Sequence, residues 1–272
     1  MKRLSITLIL FAFIVGLHAQ NREKRSVASF TKLSFRTAGK LYLKQGNTNS
    51  VELVGDPEVL EKIETKVENG KLSIGKENSD SWFNWRDWND DDKITAYVTM
   101  KDIEGIYVSG SGDLLAETKL AGHDMELKVS GSGNLTAEID AEDVDADVSG
   151  SGDLNLKGRM KSLSSGISGS GKVMFAGAVA EAVQTSISGS GRFEATGSAS
   201  EIKSTISGSG RVLASELVVD RCNVRISGSG SVQVNVKTSI DANISGSGSV
   251  SYKGSPSEVN SHSSGSGRIR KM

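Results

Sequence analysis

Three tryptophans, Trp82, Trp85 and Trp88, fall within seven residues of one another, in the run Ser81-Trp82-Phe83-Asn84-Trp85-Arg86-Asp87-Trp88-Asn89-Asp90-Asp91-Asp92. The chain has no other tryptophan. Indole faces stack on sugar rings and anchor protein contacts, so the cluster reads as a ligand-contact loop or as an apolar lid. A second set is acidic: Glu138, Asp140, Glu142, Asp143, Asp145 and Asp147. Alternate residues of a strand share a face, which places Asp143, Asp145 and Asp147 together on an outward side. Such a row solvates a surface, contacts a ligand, or supplies the oxygen ligands of calcium. On a groove it also suits a carbohydrate-active enzyme of the polysaccharide-lyase kind.

Other chemistry finds little to stand on. His123 and His262 are far apart in sequence, and zinc needs three or four ligands. No G-x-S-x-G, G-x-x-x-x-G-K-[ST] or G-x-G-x-x-G occurs, so neither a serine nucleophile nor a phosphate cradle is indicated. Cys222 is the sole cysteine. It can form no intramolecular disulfide and is expected as a small buried hydrophobe. The reading assigns no catalytic residues and no cofactor, with calcium at Asp143, Asp145 and Asp147 as the one metal alternative. Lys and Arg total 32 against 33 Asp and Glu, a net charge of −1, which argues against a nucleic-acid binder.

The elements that hold these residues are set by a repeat. Ser-Gly-Ser-Gly begins at Ser109, Ser130, Ser149, Ser168, Ser188, Ser207, Ser227, Ser245 and Ser264, at intervals of 18 to 21 residues. A flexible Gly/Ser linker would show no such period. The residue before the motif is Val108, Val129, Val148, Ile167, Ile187, Ile206, Ile226 or Ile244, and Ser263 in the last copy. Leu114, Leu135, Leu154, Val173, Phe193, Val212, Val232, Val250 and Ile269 follow at a fixed offset. Alternation of β-branched and polar residues marks half-buried strands. Strands repeating every 19 to 20 residues bury their apolar side only by stacking on their own copies.

The expected fold is therefore all-β: a right-handed parallel β-helix, or closely related β-solenoid, with an N-terminal β cap. Its motif glycines should face inward and its serines outward; whether the motif is strand or corner stays open. Residues 20–100 form the cap or first turns, with the Trp-rich loop at 79–92. Residues 101–272 form the Ser-Gly-Ser-Gly solenoid, continuous with them. Charge drifts along the rod, from net −8 over residues 101–160 to net +5 over 161–272. The outward residue after each motif follows the drift, and self-association is one consequence.

Residues 1–19 read as a signal peptide: Met1-Lys2-Arg3, an apolar run from Leu4 to Leu17, and Ala19 before Gln20. The run is too short for a bilayer-spanning helix, so an exported chain without a transmembrane segment is expected, in the periplasm, at the cell surface or outside the cell. Taken with Glu68-Asn69-Gly70-Lys71-Leu72-Ser73-Ile74 and the repeated Val/Ile-Ser-Gly-Ser-Gly-x-Leu/Val, the sequence resembles the auto-transporter adhesin head GIN domain family of exported Bacteroidetes proteins. The resemblance covers roughly residues 30–270. It implies a parallel β-helix and an adhesive protein of the cell envelope, and no defined catalytic residues. The expected function is non-catalytic binding of a surface glycan or envelope protein, with Trp82, Trp85, Trp88, Asp143, Asp145 and Asp147 as contact candidates. A structural envelope scaffold is the alternative.

Overall fold

In a computed structural model, which describes residues 21–76 and 93–272, the chain is a parallel β-solenoid. Residues 1–19, expected as a signal peptide, and the Trp-rich segment expected as a loop at 79–92 lie outside the described residues. From residue 124 onward, strands β11 (Asp124–Gly131), β12 (Asn134–Gly150), β13 (Asp153–Gly169), β14 (Lys172–Gly189), β15 (Arg192–Gly208), β16 (Arg211–Gly228) and β17 (Ser231–Gly246) each pair in parallel with the next. Strands β18 (Ser249–Gly254), β19 (Glu258–Gly265) and β20 (Arg268–Lys271) complete the last layers. The first serine of each motif pairs with its copy one turn away, for example Ser168 with Ser188 and Ser188 with Ser207.

The motif is a corner. Its first Ser-Gly ends one strand, its second forms the bend, and the next strand starts on the following residue. At Gly208 the backbone has φ +116°, and a Cβ there would lie 2.7 Å from the Gly189 carbonyl oxygen of the turn below. Only glycine accepts both conditions. The motif serines are exposed apart from the half-buried Ser109, so the corner carries two hydroxyl columns outside. Of the two glycines expected to face inward only the second is buried, as at Gly133 and Gly152. The first lies at the surface, as at Gly169 and Gly189, where the positive φ turns the chain. The uneven repeat lengths are absorbed outside the motif: register shifts fall between Met160 and Leu163, between Val179 and Ala182, between Glu194 and Thr196, and between Ala214 and Val218.

Inside, the residues before and after the corner stack into aliphatic columns. Val148, Ile167, Ile187, Ile206 and Ile226 are buried, as are Leu154, Val173, Phe193 and Val212. Cys222 joins this interior, where burial and then Glu201 push its thiol up to about 12, far from a reactive thiolate. One interior column is polar. Ser165, Thr185 and Ser204 are in register and buried, yet none of their hydroxyls has a hydrogen-bond partner among the described residues. An unmet buried hydroxyl carries a desolvation penalty of ~1–3 kcal/mol. Thr185→Val, which keeps the shape and removes the hydroxyl, should therefore raise stability by about 1 kcal/mol and the melting temperature by about 2–4 °C. A fall in a thermal melt would show that the hydroxyl is bonded.

The N-terminal layers run out of sequence order. Strands β2 (Lys32–Arg36) and β3 (Gly39–Gln45) stack in parallel on β8 (Gly105–Gly110) and β9 (Asp113–Ala116). Strands β6 (Lys71–Lys76) and β7 (Ile94–Met100) stack on their other side, as an outer layer. Three antiparallel strands then close the end: β5 (Ile63–Glu68) on β6, β4 (Ser50–Gly55) on β7, and the charged β1 (Asn21–Arg25) on β4. Reversing direction ends the parallel stack, and a charged edge resists further pairing. Asn69-Gly70, both at positive φ, makes the tight β5–β6 hairpin that its sequence foretells. Asp56 caps the short helix α1 (Pro57–Leu60), which buries Val59 and Leu60.

Candidate functional site

The regular rod is interrupted where the first motif interval is 21 residues. There the chain leaves β9, makes the two-residue strand β10 (Leu120–Ala121), and turns at Gly122-His123 into β11. The extra length opens a cleft of about 680 Å³. Its acidic lining comes from three parts of the chain: Asp102 and Glu104 before β8, Asp124 and Glu126 on β11, and Asp143 and Asp145 on β12. Lys32 and His123 are its basic members. Amide side chains hold the rim. Gln45 donates from Nε2 to the Ala121 carbonyl at 2.9 Å and accepts the Ala121 N–H at 2.6 Å. Asn49 accepts the Lys101 N–H and donates to the Phe30 carbonyl, each at 2.9 Å.

Register gives the cleft its electrostatics. Asp124 pairs across the ladder with Asp143, and Glu126 with Asp145, so four carboxylates form a block on two neighbouring strands. Like charges directly opposite one another destabilise a sheet. Partial relief comes from the edges of the block. Glu126 is bonded to Lys128 and to the Tyr107 hydroxyl, and both contacts hold its carboxyl below the usual range. Burial, then the Glu126 bond, pushes the Tyr107 phenol up to about 12. Lys71 lies over the Tyr107 ring at 4.1 Å. His123 bonds Asp124 at 2.8 Å and lies 3.3 Å from Glu142. The Asp124 bond first, then the Glu142 charge, raises its pKa above the ordinary 6.5.

The three aspartates singled out by the sequence separate. Asp143 and Asp145 line the cleft. Asp147 does not: it accepts the Gly166 N–H at 3.0 Å and lies 3.8 Å from Lys128. Asp143 is also bonded by the Ser162 hydroxyl. Among the described residues, no three His, Cys, Asp or Glu side chains converge where they could hold a metal ion. The calcium alternative at Asp143, Asp145 and Asp147 thus gains no support, because its oxygens are partly engaged and its members face different partners. Trp82, Trp85 and Trp88 lie outside the described residues.

Asp102, Glu104, Asp124, Lys32 and Gln45 escaped the sequence reading. Only Asp124 lies within the 21-residue interval, the longest in the series; the other four precede the first motif and carry no periodic signal.

A rod with a closed aliphatic interior, serine-lined corners and an open acidic cleft is a parallel β-solenoid. The chain belongs to the family described as "Putative auto-transporter adhesin, head GIN domain", which it matches over residues 29–194 and 174–256. No curated protein matches it. Among solved structures it is similar to a "Putative lipid binding protein" from Parabacteroides distasonis, at 22% identity and a TM-score of 0.71, covering 94% of this chain and 98% of that one. A "putative adhesin" from the same organism has 19% identity and a TM-score of 0.70, with 93% and 97% covered. Another, from Parabacteroides merdae, has 19% identity and a TM-score of 0.69, with 94% and 98% covered. At these identities the likeness establishes the fold. No helix among the described residues is long and apolar enough to cross a membrane.

Proposed function

We propose that the chain is an exported, non-catalytic, adhesin-like protein of the cell envelope whose acidic cleft seats a positively charged group of a protein surface or glycan. The observation that carries this is the block of Asp124, Glu126, Asp143 and Asp145, stacked at a cost to the sheet and open to solvent. A cationic partner would neutralise it. The family, described by its adhesins, supports binding over turnover. A lipid ligand of the kind named for one structural neighbour would need an apolar slot, and this cleft is acidic.

The test is an array of glycans and of basic and acidic proteins, probed with the exported chain. Asp143→Asn combined with Asp145→Asn should weaken binding of a cationic ligand about tenfold or more. Affinity should also rise with pH. Protonated His123 offsets the carboxylates, so its loss of a proton, above 6.5, leaves the cleft one charge more negative. Binding unmoved by the aspartate changes but lost in Trp85→Ala would transfer the contact to the Trp-rich segment. An array with no ligand at all would favour the scaffold reading, for which the in-register rod is the supporting observation.

A further inference from the structure

One outward column runs straight up the rod beside the serine corner. In register it reads Lys40, Asp113, Asn134, Asp153, Lys172, Arg192, Arg211 and Ser231. Its six central members span about 24 Å at the ordinary spacing of paired strands. They divide in the middle: Asp113, Asn134 and Asp153 below, Lys172, Arg192 and Arg211 above. Inversion about the point between Asp153 and Lys172 exchanges acid or amide for base at every rung. The column is complementary to itself turned end for end.

We infer that two copies of this chain pair side by side and antiparallel along this column, about a two-fold axis passing between the rungs of Asp153 and Lys172. The rung spacing is the same in both copies, so every pair comes into line at once. Asp153 of one copy meets Lys172 of the other, Asn134 meets Arg192, and Asp113 meets Arg211, each contact made twice as two-fold symmetry requires. At the centre, the Asp153–Lys172 pair within one copy, 3.6 Å apart, joins its counterpart in a ring of alternating charge. Parallel copies would oppose acid to acid and base to base.

The flanks of the column point to the same partner. On its corner side stand small exposed serines such as Ser111, Ser151 and Ser209; on the other, larger outward residues, Leu115, Met174 and Leu213. Leu115 is 42% exposed. The two-fold runs along the strand direction and keeps each flank on its own side. It sets Leu115 on the rung of Leu213, Met174 on that of Asn155, and Ser111 on that of Ser209. Leu115 and Leu213, which a single copy leaves in water, then cover one another.

Exposed ion pairs are individually weak and screened by salt, so the dimer should loosen about tenfold or more between low and physiological ionic strength. Sedimentation of the exported chain at both salts tests this. One variant carries Lys172→Asp, Arg192→Asp and Arg211→Asp, and another Asp113→Lys, Asn134→Lys and Asp153→Lys; circular dichroism verifies that both fold. Each variant alone should dimerise at least about tenfold more weakly than the parent. An equimolar mixture should recover a dimer, because an acidic column then faces a basic one. A parent that remains monomeric at low salt, variants that dimerise as well as the parent, or a mixture that stays monomeric would each overturn the assignment. None of these readouts involves the cleft or its ligand.

Discussion

Gly208→Val should lower the melting temperature by about 10 °C. Two separate penalties meet at this corner. The backbone sits at φ +116°, a conformation that side chains rarely adopt, and forcing a non-glycine residue there costs ~1–3 kcal/mol. The new Cβ would also lie 2.7 Å from the Gly189 carbonyl oxygen, which is backbone of the adjoining turn and cannot swing aside. Relieving that contact means separating two rungs and weakening the ladder bonds between β14 and β15. Together the effects amount to about 3–5 kcal/mol, and each kcal/mol is worth ~2–4 °C in a protein of this size. In a stack held by nearest neighbours, the damage should centre on the affected rungs. Hydrogen exchange should therefore show lost protection around Gly189–Gly228, with the N-terminal layers largely intact. Ser209→Val, one residue further on and facing solvent, should change the melt little. A Gly208→Val protein melting within a degree or two of the parent would mean that the corner has space.

Phe193→Ala should be comparably damaging, for the opposite reason: it leaves too much room. Phe193 is fully buried and stacks between Val173 and Val212. The neighbouring column holds Phe175 one turn below and Ala195 in the same turn, so the two rings occupy different columns in successive layers. Bulk in one column is matched by a small residue beside it. Truncating Phe193 next to Ala195 leaves two small residues in one layer and a cavity that flanking aliphatics, held by their own ladders, cannot collapse to fill. Such substitutions cost ~3–5 kcal/mol, again about 10 °C. Phe193→Val should lose less, because valine already fills the equivalent place above and below. Equal losses for the two variants, measured by denaturant unfolding, would show that the layer does not depend on the ring's volume.

The solenoid was legible because its cause is local and repeated. Apolar alternation around Val148, Ile167 and Ile187, interrupted by Ser-Gly-Ser-Gly at a near-constant interval, has one economical solution: stacking in register. The Asn69-Gly70 hairpin and the Asp56-Pro57 helix start were equally open to reading, since each depends on a few adjacent residues. The site was only half legible. Asp143 and Asp145 announce themselves as acids on one face of a strand, and they do line the cleft. Nothing adjacent to them in sequence reveals Asp102, Glu104 or Asp124 as their neighbours, because that proximity depends on which rung lies beside which.

The amino-acid order alone thus determined the period, the inward and outward faces of the strands and the polarity of charge along the rod. Each of these is a property of one turn, copied. That Ser-Gly-Ser-Gly is a corner was decided by the tertiary structure. Only the tertiary structure decided the order of the N-terminal layers, with β6 and β7 outside β2 and β3 although they follow them in the chain. It alone decided that Asp147 would turn to Gly166 and Lys128 while Asp143 and Asp145 faced the cleft. It also decided that three buried hydroxyls would line up at Ser165, Thr185 and Ser204. The physical reason is the same in each case. Periodicity fixes what a residue does within its own turn, whereas contacts between turns depend on length irregularities and closing strands that leave no periodic trace.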